Sequence, residues 1–181
     1  MSANLLLAVA GVAILLFWIV GAYNRLVSLR TAIGAAWAQF EEPLQRREQA
    51  LMPLIQRLRE PLAAEHSALD AVVGALAQVR ASAESVRARP VQVAGLTTFC
   101  VQESQLGGAL ARVMALAEQT SAWRDDAEVA SQVAQAQGTA ERLGAARHWF
   151  NDAAQAYDAA IRQWPTRALV PWLGFGPAGR L

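Results

Sequence analysis

Apolar residues are laid out along this chain in two different ways. From Leu5 to Val20 the run LLLAVAGVAILLFWIV holds no strongly polar side chain, and Ser2 to Asn24 carries no charge. A helix crosses a bilayer core of roughly 30 Å with about 20 apolar residues. Ala3 to Ala22 supply that length, with Trp18 and Tyr23 placed for the far interface. Beyond the run the pattern becomes periodic: Leu26, Leu29, Ile33, Trp37, Phe40, Leu44, Leu51, Ile55, Leu58 and Leu62 keep one face apolar. Such spacing predicts a long amphipathic helix continuous with the apolar segment. Pro43, Pro53 and Pro61 fall within it, each deleting a backbone hydrogen bond, so kinks are expected, with Pro61 the true break.

Three more helices follow from the same reading. Leu69, Val72, Val73, Leu76, Val79, Ala83 and Val86 make a second stripe that stops at Arg89-Pro90, because a residue before proline leaves the helical region. Pro90 to Thr98 reads as a loop. A third helix starts near Phe99 and turns Leu106, Leu110, Val113, Met114 and Ala117 inward, weakened by Gly107-Gly108. Gln119 to Asp125 is the next turn, where Asp125 and Glu128 form a box-like N-terminal cap. The fourth helix carries Val129, Val133, Ala136, Leu143, Ala146, Phe150, Ala153, Tyr157 and Ile161 to a stop at Trp164-Pro165. No strand pattern emerges. The expected architecture is all-α: a transmembrane helix over residues 1–23, an antiparallel four-helix up-and-down bundle over 24–165, and an apolar tail over 166–181.

Composition narrows the partners. The 181 residues are 54% apolar and 17% charged, with a net charge of +1, which removes bulk attraction to nucleic acid. One cysteine, Cys100, makes neither an internal disulfide nor a cysteine zinc site. A cleaved signal peptide competes with the anchor, since Val20-Gly21-Ala22 has the form of a cleavage site. The missing basic n-region and the overlong apolar run favour retention. Arg25 and Arg30 follow the span and no basic side chain precedes it, which favours a cytoplasmic body.

Two stretches at opposite ends of the body carry a resemblance. In YNRLVSLRTAIGAAWAQFEEPLQRREQALMPLI, Tyr23 to Ile55, the matching positions include Asn24, Arg30, Trp37, Arg46, Arg47 and Pro53. In ARHWFNDAAQAYDAAIRQWP they include Arg147, Asn151, Asp152, Tyr157 and Pro165, followed by Leu173-Gly174-Phe175. The chain resembles the LemA family of single-span bacterial membrane proteins. That resemblance implies a helical bundle on one N-terminal span in the bacterial inner membrane, and it transfers no catalytic residue. Pro43, Pro61 and the stretch Thr120 to Arg124, which lacks the usual tyrosine-proline turn, depart from the family pattern.

Chemistry is sparse. His66 and His148 lack the Glu-x-x-His spacing of bundle metal sites, and His148 with Asp152 reads as a surface pair one turn apart. Cys100, between Phe99 and Val101, reads as a small buried filler. Gly107-Gly108 and Gly174-Phe175-Gly176 lack the strand-to-helix setting of a phosphate cradle. No metal, cofactor or enzymatic role is expected. Trp37, Trp123, Trp149 and Trp164 are expected to pack in the core. Arg46 reads as paired with Glu42, whereas a partner-binding role for Arg46-Arg47 stays open. Interaction candidates are therefore Trp37, Arg46, Arg47, Pro53, Arg147, Asn151, Asp152 and Tyr157. Arg25, Arg30, Trp172 and Phe175 are candidate lipid contacts, because the apolar LVPWLGF of the tail must either fold back or enter the interface. The expected function is a non-enzymatic, membrane-anchored module that binds a protein partner or organises a complex. The alternatives are a homo-oligomeric membrane-remodelling or organelle-assembly factor and an accessory subunit of a membrane enzyme.

Overall fold

The computed structural model describes residues 3–119 and 127–181, and every regular element among them is helical. Helix α1 runs Ala3–Leu58 without interruption, 56 residues, or about 84 Å at 1.5 Å per residue. A turn through Pro61 and a short 3₁₀ segment at Ala63–Glu65 lead into α2, His66–Ala88. Helix α3 is Val93–Gln119, α4 is Ala127–Arg162, and a short α5 spans Thr166–Leu173.

The two halves of α1 behave differently. In the first, Leu7 is 72% exposed, Ile14 70% and Phe17 80%. This most apolar stretch buries nothing against the rest of the chain. In the second, Leu26, Ile33, Trp37, Phe40, Leu44, Leu51, Ile55 and Leu58 are buried, as the three-and-four spacing requires. They pack chiefly on α4, where Leu143, Ala146, Phe150, Ala154, Tyr157 and Ile161 face inward, while α2 and α3 pack against each other. Contacts along α1 and α4 step in opposite senses: Arg57 meets Glu128, Trp37 meets Phe150, and Arg30 lies near Tyr157. At the centre Trp37 lies edge-on to Phe99 and Phe150, with ring centroids 5.3 and 6.1 Å away. Phe40 and Phe99 close the cluster at 5.7 Å.

Pro43 and Pro53 both sit inside α1, whereas the break falls just before Pro61. The loop expected from Pro90 to Thr98 is shorter than the sequence suggests, because α3 already begins at Val93. Thr97 and Thr98 fit the helix by turning their hydroxyls back onto the carbonyls of Val93 and Ala94, each at 3.0 Å. Leu96, fully buried three residues before Phe99, provides the packing for that extra turn. Gly107 and Gly108 pass through α3 on its exposed face. The Asp125 cap, the turn around it and Trp123 lie outside the described residues.

Candidate functional site

The residues singled out in the sequence sort into four settings. Trp37 is core, 2% exposed, and its indole nitrogen has no acceptor among the described residues. Arg46 and Arg47, adjacent in sequence, point to different neighbours. Arg46 pairs with Glu42 one turn back, with both side chains more than half exposed. Arg47 reaches across to Glu103 on α3 through its two terminal guanidinium nitrogens, and both side chains are largely buried. The first pair contributes a few tenths of a kcal/mol. The second ties α1 to α3, because either charge alone would be left poorly solvated. Pro53, Arg147 and Asp152 are exposed, as are His66 and His148.

Asn151 and Tyr157 belong to a different arrangement, formed where the chain returns on itself. Gly174 ends α5 in the left-handed conformation, φ 68°, and its N–H donates to the Val170 carbonyl. A glycine there turns the chain without the strain a side chain would meet, so the Gly174-Phe175-Gly176 stretch is a helix stop. The following residues lie in a cradle made by α4 and the start of α3. The Asp158 carboxylate, on a residue only 6% exposed, accepts from the Ala178 N–H at 2.9 Å and from the Arg180 guanidinium at 3.2 Å. Asn151 donates to the Leu181 carbonyl at 3.0 Å and accepts from its N–H at 2.9 Å, satisfying both backbone groups as a neighbouring strand would. Gly179 donates to Val91 at 3.1 Å and sits so close to α3 that a Cβ would lie 3.0 Å from the Val93 Cα.

The structure decides one expectation left open and changes two. Phe175, a candidate lipid contact in a tail expected either to fold back or to enter the interface, sets its ring edge-on against Tyr23 and Tyr157, with centroids 5.9 and 6.5 Å away. Its ring is drawn inward because two aromatic partners and the α5 stop position it there. Cys100 is half-buried, not fully enclosed, and its thiol lies 3.9 Å from the Arg180 carbonyl. Burial pushes that thiol up from its ordinary value, against the nearby Arg147 charge, and Glu103 adds to the rise. Trp149 and Trp164 are 58% and 75% exposed, so they are not core residues. Burial likewise raises the Tyr157 phenol, opposed by the Arg30 charge and by a hydrogen bond from the Gly176 backbone, with Asp158 adding to the rise.

Asp158, Gly179 and Leu96 were missed in the sequence. Asp158 follows a motif tyrosine by one residue, but its partners lie twenty or more residues further on and no local spacing announces them. Of the lipid candidates, Arg25, Arg30 and Trp172 remain exposed, Trp172 at 88%. Arg30 and Arg89 border a cleft of about 350 Å³ beside Tyr157 and Gly174. A larger groove of about 530 Å³ runs between α1 and α2. Its charges are largely engaged with each other: Arg87 holds the Glu41 carboxylate at 2.9 Å, and Arg80 lies 3.9 Å from Glu48. Among the described residues, no group of three or more histidines, cysteines and carboxylates converges as a metal site would require.

No curated protein matches the chain. A family model, that of the LemA family, matches residues 36–180. The match starts in α1 beyond the exposed apolar stretch and runs through α5 and the returning segment, so it takes in both the aromatic core and the cradle. With most of its length covered in this way, the chain belongs to the LemA family.

Proposed function

We propose that this protein is a non-enzymatic module anchored in a bacterial inner membrane by residues 3–22. In this reading α1 to α4 form an antiparallel up-and-down bundle held at the cytoplasmic surface, where it binds a protein partner. The observation that carries the reading is the exposure of the first half of α1. Leu7, Val9, Val12, Ile14, Leu15, Leu16, Phe17 and Val20 are each more than half exposed on one continuous helix. Apolar side chains in that number and all around a helix are costly in water and comfortable in hydrocarbon. Arg25 and Arg30 immediately after the span favour a cytoplasmic body.

What lies beyond the span suits binding better than turnover. Its charged side chains mostly neutralise one another across helices, and its best-built polar cluster, around Asp158 and Asn151, is filled by the protein's own backbone. A rigid body with long exposed helix faces on a tether presents a surface to a partner confined to the same membrane.

Membranes containing the full-length protein, washed at alkaline pH, should retain it in the pellet and release it only with detergent. Recovery in the wash would overturn the anchor. Crosslinking in native membranes should then yield one defined heterologous partner. Homo-oligomers alone would support the assembly-factor alternative.

A further inference from the structure

The end of the bundle nearest the apolar rod combines the two most exposed tryptophans among the described residues with several unpaired arginines; Trp149, 58% exposed near Arg147, is a lesser case further up α4. Outside the rod, Trp172 at 88% and Trp164 at 75% are the most exposed large apolar side chains among the described residues. The register between α1 and α4, with Glu128 at Arg57 and Phe150 at Trp37, brings the end of α4 at Arg162 level with residues 23–25. The apolar run ends at that level. Helix α5 starts there, and Phe175 just after it touches Tyr23 at 5.9 Å. Both ends of α5 are therefore held at the height where the rod stops.

Charge follows the same geography. Among the described residues Arg25, Arg30, Arg89, Arg162 and Arg167 make no ion pair, whereas Arg46, Arg57, Arg59, Arg80, Arg87 and Arg112, further along the bundle, each meet a carboxylate. Arg142 and Arg147, also without an ion pair, lie further up α4. No acidic residue precedes Glu41, and Asp158, the only one after Asp152, is engaged by Ala178 and Arg180. The rod-proximal end is thus basic and tryptophan-bearing. Indole rings favour the headgroup level, where an apolar body and an N–H are both accommodated. Guanidinium groups within a Debye length of an anionic leaflet are attracted to it.

We propose that α5 is a second bilayer contact, an interfacial foot lying at the headgroups of the leaflet from which the rod emerges, anchored by Trp164 and Trp172 and favoured by anionic lipid. This rests on the anchor reading, and the experiment separates the two. In the full-length chain with Cys100→Ser, single spin labels are placed by Leu15→Cys, Ala168→Cys and Ala145→Cys. Oxygen and nickel-chelate accessibilities are then read in phosphatidylcholine vesicles with and without phosphatidylglycerol. Ala145 is an exposed position on α4, and its register places it roughly 30 Å up the bundle from Tyr23.

The expected result is a label at 15 in the hydrocarbon, one at 145 in water, and one at 168 at shallow bilayer depth, deeper with phosphatidylglycerol. Trp164→Ala with Trp172→Ala should return position 168 to water while 15 stays buried. Arg162→Gln with Arg167→Gln should remove the phosphatidylglycerol effect. A label at 168 as nickel-accessible as that at 145, with 15 still in hydrocarbon, would overturn the foot and leave the anchor standing. Water at 15 would overturn both. Shielding of 168 from oxygen and nickel alike would show a second copy on this face and overturn the proposal, as would immersion indifferent to the tryptophan changes.

Discussion

Asp158 shows how much a single side chain can organise when it is buried and fully used. Its two oxygens serve Ala178 and Arg180, and with Asn151 on Leu181 they fasten the returning segment through backbone groups. Gly179 is the point of closest approach. The far end of Leu96 can move away from a new methyl, but the Val93 backbone 3.0 Å from it cannot. Gly179→Ala should therefore lower stability by about 1–3 kcal/mol, read as a fall in thermal midpoint in detergent. Tyr157 supplies a pH signature. Its phenol is raised above the ordinary 10.0, chiefly by burial, so the folded state favours the neutral form. That contribution is fully present below the unfolded value and is lost as pH rises through the higher folded one. Melting temperature should decline above about pH 10 more steeply in the native protein than in Tyr157→Phe.

Between elements, the pairing of α1 with α3 rests on a charge pair as well as on rings. Arg47 and Glu103 keep only 15% and 12% of their side chains exposed. Arg47→Met alone strands a carboxylate and should cost about 2–3 kcal/mol, while Arg47→Met with Glu103→Leu should recover most of it. Equal losses in the single and double variants, measured by denaturant unfolding, would mean that the stranded carboxylate is not the source of the cost. The early start of α3 belongs to this scale too. Read from sequence, the loop runs through Thr97 and Thr98, yet a buried Leu96 and two hydroxyl-to-carbonyl bonds make those residues helical. Packing outweighed a few tenths of a kcal/mol of propensity.

For the molecule as a whole, exposed and buried halves of one helix meet near Tyr23. The apolar stretch buries nothing against the bundle, so removing residues 1–22 should leave a water-soluble helical fragment. It should melt within a few degrees of the full-length protein in detergent. A fragment that is unfolded or much less stable would show that the rod contributes to the core.

The apolar rod and the helical stripes were legible in the sequence, because burial in a helix repeats every three or four residues and a span is merely long and unbroken. Trp37, Phe40, Phe150 and Tyr157 could be placed inward from spacing alone, and the positions shared with the LemA family brought Asn151 to notice without saying what it holds. Partners distant in the chain could not be read. Arg46 and Arg47 look equivalent in sequence, and only the angle between neighbouring side chains on a helix sends one to solvent and the other to Glu103. The apolar tail offered two fates, folding back or meeting lipid. Tertiary structure turned Phe175 inward and left Trp172 exposed, because the left-handed turn at Gly174 reverses the chain between them.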